Sequence, residues 1–294
     1  MKLIECVPNF SEGKNKDFLE SITSIIKSDN KVHLLDIDPG VDTNRTVVTF
    51  VGNPENVIEA AFMGIKKAAE IIDMRKHTGA HARMGATDVC PLVPISGISM
   101  EDCVKYSKLL GERVGKELKI PVFLYEYSAS NPDRKNLATV RNGEFEGMTE
   151  KLKSSKWKPD FGSAKPHTTA GVTAIGARNF LIAYNVNLNT KDKKIATDIA
   201  FDIREQGRNK RDTNGKFVRD KNGVPVKVPG RLKACKAVGW YMDEYGQAQV
   251  SINLTNINET PPHFAFEEIR GQARKRGTRV SGSELVGLIP LSSM

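Results

Sequence analysis

The sequence predicts an α/β (α+β) fold made of two ferredoxin-like subdomains, each with the split βαβ order of elements. Three observations predict it. Strand-like apolar segments and helix-like apolar periods follow one another as β-α-β-β-α-β, this order occurs twice, and a stretch without periodicity near 160–178 separates the two copies. We place the first subdomain at residues 1–177 and the second at 178–294. Each should have a mostly antiparallel sheet with its helices on one face.

The strands of the first copy are predicted from apolar segments at 3–8, 31–38, 45–51, 89–96 and 120–127. Apolar residues at helical spacing predict a first helix over 15–28. The pair Asn53-Pro54 predicts the start of a second helix, because asparagine is a favourable N-cap and proline suits the first helical position. A third helix is predicted to begin after Ser99, with Asp102 at its third position.

The strands of the second copy are predicted at 180–188, 234–243, 247–254 and from about 278 onward. They follow a glycine-rich stretch at 162–177. Thr190 is predicted to cap a helix in which isoleucine recurs every four residues, at 195, 199 and 203. Thr260-Pro261 predicts the start of the last helix. The duplication rests on element order alone, since no repeat of residues between the halves is visible.

Composition indicates a folded protein with an anionic partner. The chain is 39% hydrophobic and 27% charged, with a net charge of +9. A basic balance favours nucleic acid or a polyanionic small molecule. No apolar run approaches the ~18 residues of a membrane span, and MKLIECVPNF lacks the apolar segment of a signal peptide. We therefore expect a cytoplasmic protein with no membrane partner.

Much of the positive charge lies in residues 206–236, QGRNKRDTNGKFVRDKNGVPVKVPGRLKACK. The DTNG and DKNG sequences are turn formers, so the stretch is predicted to be an extended surface hairpin or loop. It matches no nucleic-acid motif and has little aromatic interleaving, so we expect no nucleic-acid partner.

The four cysteines give no sign of a disulfide framework or a metal site. Cys6, Cys90, Cys103 and Cys235 are scattered without paired spacing. We expect them to be reduced thiols packed in the interior.

Residues 77–91, HTGAHARMGATDVCP, place two of the five histidines four residues apart in a predicted loop. Three interpretations are open. The pair could bind a metal, although Gly79 lies between the two and no third ligand stands nearby. The histidines could simply hydrogen-bond within a structural loop. One of them could transfer protons, because a histidine with an ordinary pKa of ~6.5 can take up and return a proton at neutral pH.

Five motifs together resemble the formiminotransferase family. They are ECVPNFSEG at 5–13, DTNRTVVTFVG at 42–52, HTGAHARMGATDVCP at 77–91, WKPDFG with GARNFLIAYN, and REQGR at 204–208 with GWYMDE at 239–244. The resemblance extends from Leu3 to Pro290. Compared with animal members, 209–229 looks like an insertion, residues 164–170 differ, and no cyclodeaminase domain follows Met294.

The resemblance implies a fold, a reaction and partners. The two sheets would face each other across a folate-holding tunnel, with the helices outside. The activity would be transfer of a formimino group from N-formimino-L-glutamate to N5 of tetrahydrofolate in histidine breakdown. Tetrahydrofolate, with or without a polyglutamate tail, would be the co-substrate, and no metal is expected. The protein would be a homodimer, with a separate cyclodeaminase as a further partner.

The resemblance also implies site residues. It gives the catalytic role to His81 and a place near this base to Asp38, while His77 is interpreted as a support of the loop. Arg45, Arg83 and Arg178 are candidate holders of substrate carboxylates, since guanidinium groups pair bidentately with them. The candidate folate-binding residues are Gly162, Ser163, Ala164, Lys165, Pro166, His167, Thr168, Thr169, Ala170 and Gly171.

Two alternatives stay open at this point. The donor could be N-formylglutamate, because formyl and formimino groups differ only by O for NH. The protein could also bind folate without catalysis.

Overall fold

The structure is a computed structural model that describes residues 2–28 and 30–293. Its contacts divide the chain into two compact units, residues 1–178 and 179–294.

The strands of the first unit are β1 (Leu3–Cys6), β2 (Asn9–Phe10), β3 (Val32–Gly40), β4 (Arg45–Gly52), β5 (Thr87–Ser96), β6 (Val122–Glu126) and β7 (Thr173–Ala177). Its helices are α1 (Lys16–Lys27), α2 (Pro54–Ile71), α3 (Met100–Arg113), α4 (Leu137–Arg141) and α5 (Glu144–Lys151). A π-helical turn, Val114–Leu118, continues α3, and short 3-10 turns lie at Pro132–Arg134 and Ser155–Trp157.

The described part of this unit forms a seven-stranded sheet. Strand β3 pairs with β4, and β4 pairs with both β1 and β2, which also pair with β5; all of these pairs are antiparallel. Strand β7 then lies parallel to β5, and β6 lies parallel to β7. The neighbouring strands β3-β4-β1-β5 have the order of a split βαβ unit. The parallel strands β7 and β6 extend this sheet beyond β5.

The second unit contains β8 (Ile182–Leu188), α6 (Lys193–Ile203), β9 (Arg208–Asn209), β10 (Lys227–Val228), β11 (Cys235–Met242), β12 (Gln247–Leu254), α7 (Pro262–Lys275) and β13 (Val280–Val286), with a 3-10 turn at Leu291–Ser293. Its main sheet has the order β11-β12-β8-β13, and every pair is antiparallel. Helices α6 and α7 pack on one face through a core of buried aliphatic side chains. The predicted α/β (α+β) class with two split βαβ units is therefore confirmed.

Two sequence predictions about helix starts are confirmed and one is wrong. Asn53 accepts a hydrogen bond from the amide of Asn56, and Ser99 accepts one from Asp102. For α6 the cap is Asp192 rather than Thr190. The carboxylate of Asp192 accepts from the amide of Lys194 at 2.8 Å, while Thr190 Oγ1 accepts from Asp192 N and so lies two residues before the cap.

Strand β7 was not predicted, because the stretch 162–177 was interpreted as irregular. The five residues of β7, TAIGA, are all buried. Four of the five are small, and at Gly176 the neighbouring strand requires it, because a Cβ there would come within 2.3 Å of Tyr125 O. Where residues are small and both faces are buried, the alternation of apolar and polar residues that usually indicates a strand is absent.

Both faces of the β5-β7-β6 part of the sheet are covered. Helices α2 and α3 pack on one face, where Cys90 and Ile175 point. Val140 of α4 and Met148 of α5 pack on the opposite face, against Val89 and Phe123. The sequence predicts no helices over 137–151, so this second layer is a finding of the structure.

The remaining surface and thiol predictions are confirmed. The basic stretch is a hairpin in which β9 pairs with β10, with two similar turns beyond it. In these turns Asp212 and Asp220 each accept backbone N–H groups from the residues two and four positions later. All four cysteines are free and buried. Within residues 2–28 and 30–293, no helix is long and apolar enough to cross a bilayer.

Candidate functional site

The histidine motif lies in the loop that joins α2 to β5, and the turn between β3 and β4 holds it. Asn44 Nδ2 donates to Thr78 O at 2.8 Å, and Ala80 N donates to Asp42 O at 3.2 Å. Gly79 is required here, because a Cβ at this position would lie 2.3 Å from Thr43 O. The close approach of two backbones explains the glycine between the histidines.

His77 is buried and has partners for both ring nitrogens. Its Nε2 donates to Asn44 O at 2.9 Å, and its Nδ1 accepts from Arg83 Nε at 3.3 Å. These contacts support the interpretation that His77 orders the loop.

His81 is half-buried and lies against Arg45, the first residue of β4. Arg45 Nη1 is 2.7 Å from His81 Nε2. Burial, followed by the positive charges of Arg45 and Arg141, lowers the pKa of His81 to about 3, while the charge of Asp88 acts in the opposite direction. The imidazole is therefore neutral at neutral pH.

Burial likewise lowers the pKa of Arg45, to about 10, with Asp88 and Asp38 raising it and Arg141 lowering it. The guanidinium stays charged at neutral pH. Asp38 lies on β3 opposite Val47 of β4. It belongs to this cluster because its negative charge acts on Arg45 and raises the pKa of that residue. The structure brings together three of the residues singled out from the sequence, namely His81, Asp38 and Arg45.

Two residues that the sequence analysis did not assign complete this cluster. Asp88 is fully buried and accepts from Met84 N at 3.0 Å, and both Nε and Nη2 of Arg141 donate to its carboxylate. Asp88 lies inside the histidine motif at 77–91, so its position in the sequence could have marked it as a site residue. Arg141 ends α4, a helix that the sequence analysis did not predict, so nothing pointed to it.

Arg83 is engaged by its own chain. Its guanidinium forms ion pairs with Glu144 and Glu146 at 3.0 and 2.7 Å. These three residues line a cavity of about 440 Å³ together with Thr78, Gly79 and Gly143.

The candidate folate stretch divides into two parts. Residues 162–165 are exposed, with Gly162 in the left-handed region (φ +83°) beside Ile120 O. The part from His167 to Gly171 forms a turn closed by two hydrogen bonds of 2.9 Å between the backbones of these two residues. His167 Nδ1 also accepts from Ala170 N at 3.1 Å.

This turn is hydrogen-bonded to the histidine loop. Ala86 N donates to Ala170 O at 2.9 Å, Val172 N donates to Met84 O at 3.1 Å, and Gly85 bridges to Gly171. The structure therefore places the end of the candidate folate stretch beside the loop that carries His81.

Arg178 lies elsewhere on the first sheet. It follows the C-terminal end of β7, where its amide donates to Leu92 O at 3.0 Å and its charge acts on Glu5. The histidine loop precedes the N-terminal end of the parallel strand β5, so Arg178 and His81 lie at opposite ends of these strands.

A cluster of buried titratable groups with strongly shifted pKa values is typical of a functional site. The fold and this cluster are those of an α/β protein with a candidate enzyme site. Comparison with known proteins gives the family. Residues 3–178 match the model of the formiminotransferase domain, N-terminal subdomain, and residues 183–294 match that of the formiminotransferase domain. The chain belongs to the formiminotransferase family.

Curated relatives agree with this assignment. The chain is 46% identical to the glutamate formimidoyltransferase of Streptococcus pyogenes serotype M1, covering 100% of this chain and 91% of that one. It is 44% identical to the glutamate formimidoyltransferase of Thermoplasma acidophilum, covering 99% and 89%. It is 48% identical to the formimidoyltransferase-cyclodeaminase of Dictyostelium discoideum, covering 100% and 51%. The chain thus spans about half the length of the relatives named formimidoyltransferase-cyclodeaminase.

Proposed function

We propose that the protein transfers the formimino group of N-formimino-L-glutamate to N5 of tetrahydrofolate, giving 5-formiminotetrahydrofolate and L-glutamate in histidine degradation. The observation that carries this proposal is the similarity to two glutamate formimidoyltransferases, of which the chain covers 91% and 89%. The local geometry around His81 is compatible with the proton transfers that such a reaction needs.

The reaction requires one group that takes up a proton and returns it. N5 attacks the amidine carbon, a carbon–nitrogen bond forms, and N5 loses its proton. The bond from that carbon to the glutamate nitrogen then breaks, and this nitrogen gains a proton. We assign both transfers to Nε2 of His81, and we assign to Asp38 the stabilisation of the cationic amidinium. The step itself calls for no metal.

We propose that residues 162–171 bind the folate. Ser163, Ala164 and Lys165 are exposed, so their backbone and side-chain groups are open to a ligand. The other end of the stretch, from His167 to Gly171, is fixed to the histidine loop by backbone hydrogen bonds. A folate held by this stretch would lie on the element that also positions the base.

The three candidate arginines receive different roles in this proposal. Arg45 lies against His81 and is proposed to hold a carboxylate of the donor. Arg83 is already paired with two glutamates and is proposed to order the loop. Arg178, at the other end of the parallel strands, is proposed to meet the glutamate tail of the folate.

Turnover with two donors tests the reaction. Purified protein is mixed with tetrahydrofolate and either N-formimino- or N-formyl-L-glutamate, and the 5-substituted folate is followed by absorbance and mass. We expect 5-formiminotetrahydrofolate as the faster product. No product from the formimino donor would refute the proposal, and faster transfer from the formyl donor would favour the formyltransferase.

The His81→Ala variant separates catalysis from simple binding. We expect turnover to fall about 10²–10⁴-fold, the usual share of a general acid–base group. Folate affinity, measured by equilibrium dialysis, should stay near that of the unmutated protein. His33→Ala, at an exposed position on β3, is the matched control. A non-catalytic folate-binding protein would bind folate but show no turnover even without mutation.

We also propose that the protein is a cytoplasmic homodimer that works with a separate cyclodeaminase. Several relatives are named formimidoyltransferase-cyclodeaminase, which motivates the second half of this proposal. Light scattering of the purified protein should give twice the mass of one 32.5 kDa chain. A monomer at micromolar concentration would contradict it.

A further inference from the structure

The contact between Arg45 and His81 has a direct chemical meaning. A guanidinium has only N–H donors, so the imidazole must accept at the ring nitrogen it touches. With Arg45 Nη1 at 2.7 Å from His81 Nε2, that nitrogen carries the lone pair and Nδ1 carries the proton. The lone pair that a general base needs is therefore occupied by the guanidinium of Arg45 in this arrangement.

A carboxylate is a better partner for this guanidinium than a neutral imidazole. A carboxylate brings a countercharge and can accept two parallel bonds from arginine, whereas a neutral imidazole brings no charge and accepts through one nitrogen. Asp38 and Asp88 act on Arg45 through their charge. The carboxylate of Asp88 already forms an ion pair with Arg141.

We propose that Arg45 closes the lone pair of His81 until a donor binds, and that a carboxylate of the bound donor draws the guanidinium away and frees this base. The proposal rests on the proposed function, because the donor must carry a carboxylate. Arg45 then has two linked roles, because it binds the donor carboxylate and by doing so frees the lone pair of His81. A donor analogue without the carboxylate would then bind next to an inactive base.

The charges around His81 set the expected response. Arg45 reaches it from β4, Arg141 from α4 and Asp88 from β5, while Asp38 on β3 acts through Arg45. Moving Arg45 away removes a positive neighbour, which raises the pKa of His81 and makes it a stronger base. Burial remains, so the pKa should rise without returning fully to its ordinary value.

Histidine NMR of the whole protein tests the proposal without turnover. The ring signals of His81 are assigned with the His81→Gln variant and titrated in the unmutated protein and in Arg45→Gln. We expect the pKa of His81 to rise by about one unit or more in Arg45→Gln, a tenfold change in its protonation constant. Arg75→Gln, which removes an exposed arginine from the same loop, is the matched control and should leave it unchanged.

Ligand and pH measurements complete the test. L-glutamate, at a concentration that saturates its inhibition of turnover, should raise the pKa of His81 in the unmutated protein but not in Arg45→Gln. The acid limb of kcat/KM should move to higher pH in Arg45→Gln. If Arg45→Gln does not fold, Arg45→Lys keeps a cation at this position, and it should keep the low pKa of His81 while lowering kcat/KM.

Two outcomes would overturn the proposal. One is a His81 pKa that is the same in the unmutated protein and in Arg45→Gln, and the other is no shift with saturating L-glutamate. Normal turnover with either outcome would leave the transferase function intact and remove only the role of Arg45. Absence of turnover with all donors would instead reject the function.

Discussion

Gly85→Ala should separate the histidine loop from the candidate folate stretch. A Cβ at Gly85 would lie 2.0 Å from Val172 O and 2.7 Å from Ala170 O. Both obstacles are backbone carbonyls, so the two segments must move apart. The substitution therefore tests whether the backbone pairing between them supports the site.

The structure gives the expected magnitude. Overpacking in a close-packed region costs about 1–3 kcal/mol. The hydrogen bonds from Ala86 N to Ala170 O and from Val172 N to Met84 O would be strained, at about 1 kcal/mol each. We expect the free energy of unfolding to fall by about 3–5 kcal/mol and folate affinity to fall with it.

Urea unfolding followed by circular dichroism measures the loss, with Gly147→Ala as the matched control. Gly147 lies in α5, and a Cβ there would meet nothing within 4 Å. Alanine should be neutral at this position or stabilise by up to ~1 kcal/mol through its helix propensity. If Gly85→Ala is as stable as the control and binds folate normally, the pairing does not support the site.

Three further predictions follow from the cluster and from the correction at α6. Asp88→Asn should lower the free energy of unfolding by about 3 kcal/mol, because it leaves Arg141 buried without its countercharge; a loss under ~1 kcal/mol in urea unfolding would contradict this. The unmutated protein should lose stability relative to His81→Gln as pH falls from ~6.5 towards 3, because the unfolded histidine gains a proton that the folded one refuses. A constant difference between the two proteins across this range would reject the low pKa. Asp192→Ala should destabilise by about 1 kcal/mol, and Thr190→Ala by less, since only Asp192 caps α6; equal losses would restore Thr190 as the cap.

Regular elements with one buried face were predictable from the sequence. Helix α1 shows apolar residues at helical spacing, and α2 begins with an asparagine cap before proline, so both could be placed to within a residue or two. Each signal is local, because one face of the element meets the core and the other meets solvent.

Strand β7 and the partners of His81 were not predictable in the same way. Strand β7 is buried on both faces, and four of its five residues are small, so its composition resembles a loop. Arg141 reaches Asp88 across 53 positions of sequence, and only the folded sheet brings them together. Long-range ion pairs leave no periodic pattern in the sequence. The histidine motif could be found because its histidines and glycines stand together in one short stretch.

The hairpin between β9 and β10 has an electrostatic consequence for the behaviour of the molecule in solution. The segment 206–236 contains ten lysine and arginine residues against two aspartates. With both aspartates ionised, ten positive and two negative side chains leave this segment a net charge of +8. The cationic side chains dominate the field there, but at physiological ionic strength this field decays over ~8 Å. The protein should therefore adhere to a cation-exchange resin through this hairpin, and added salt should release it.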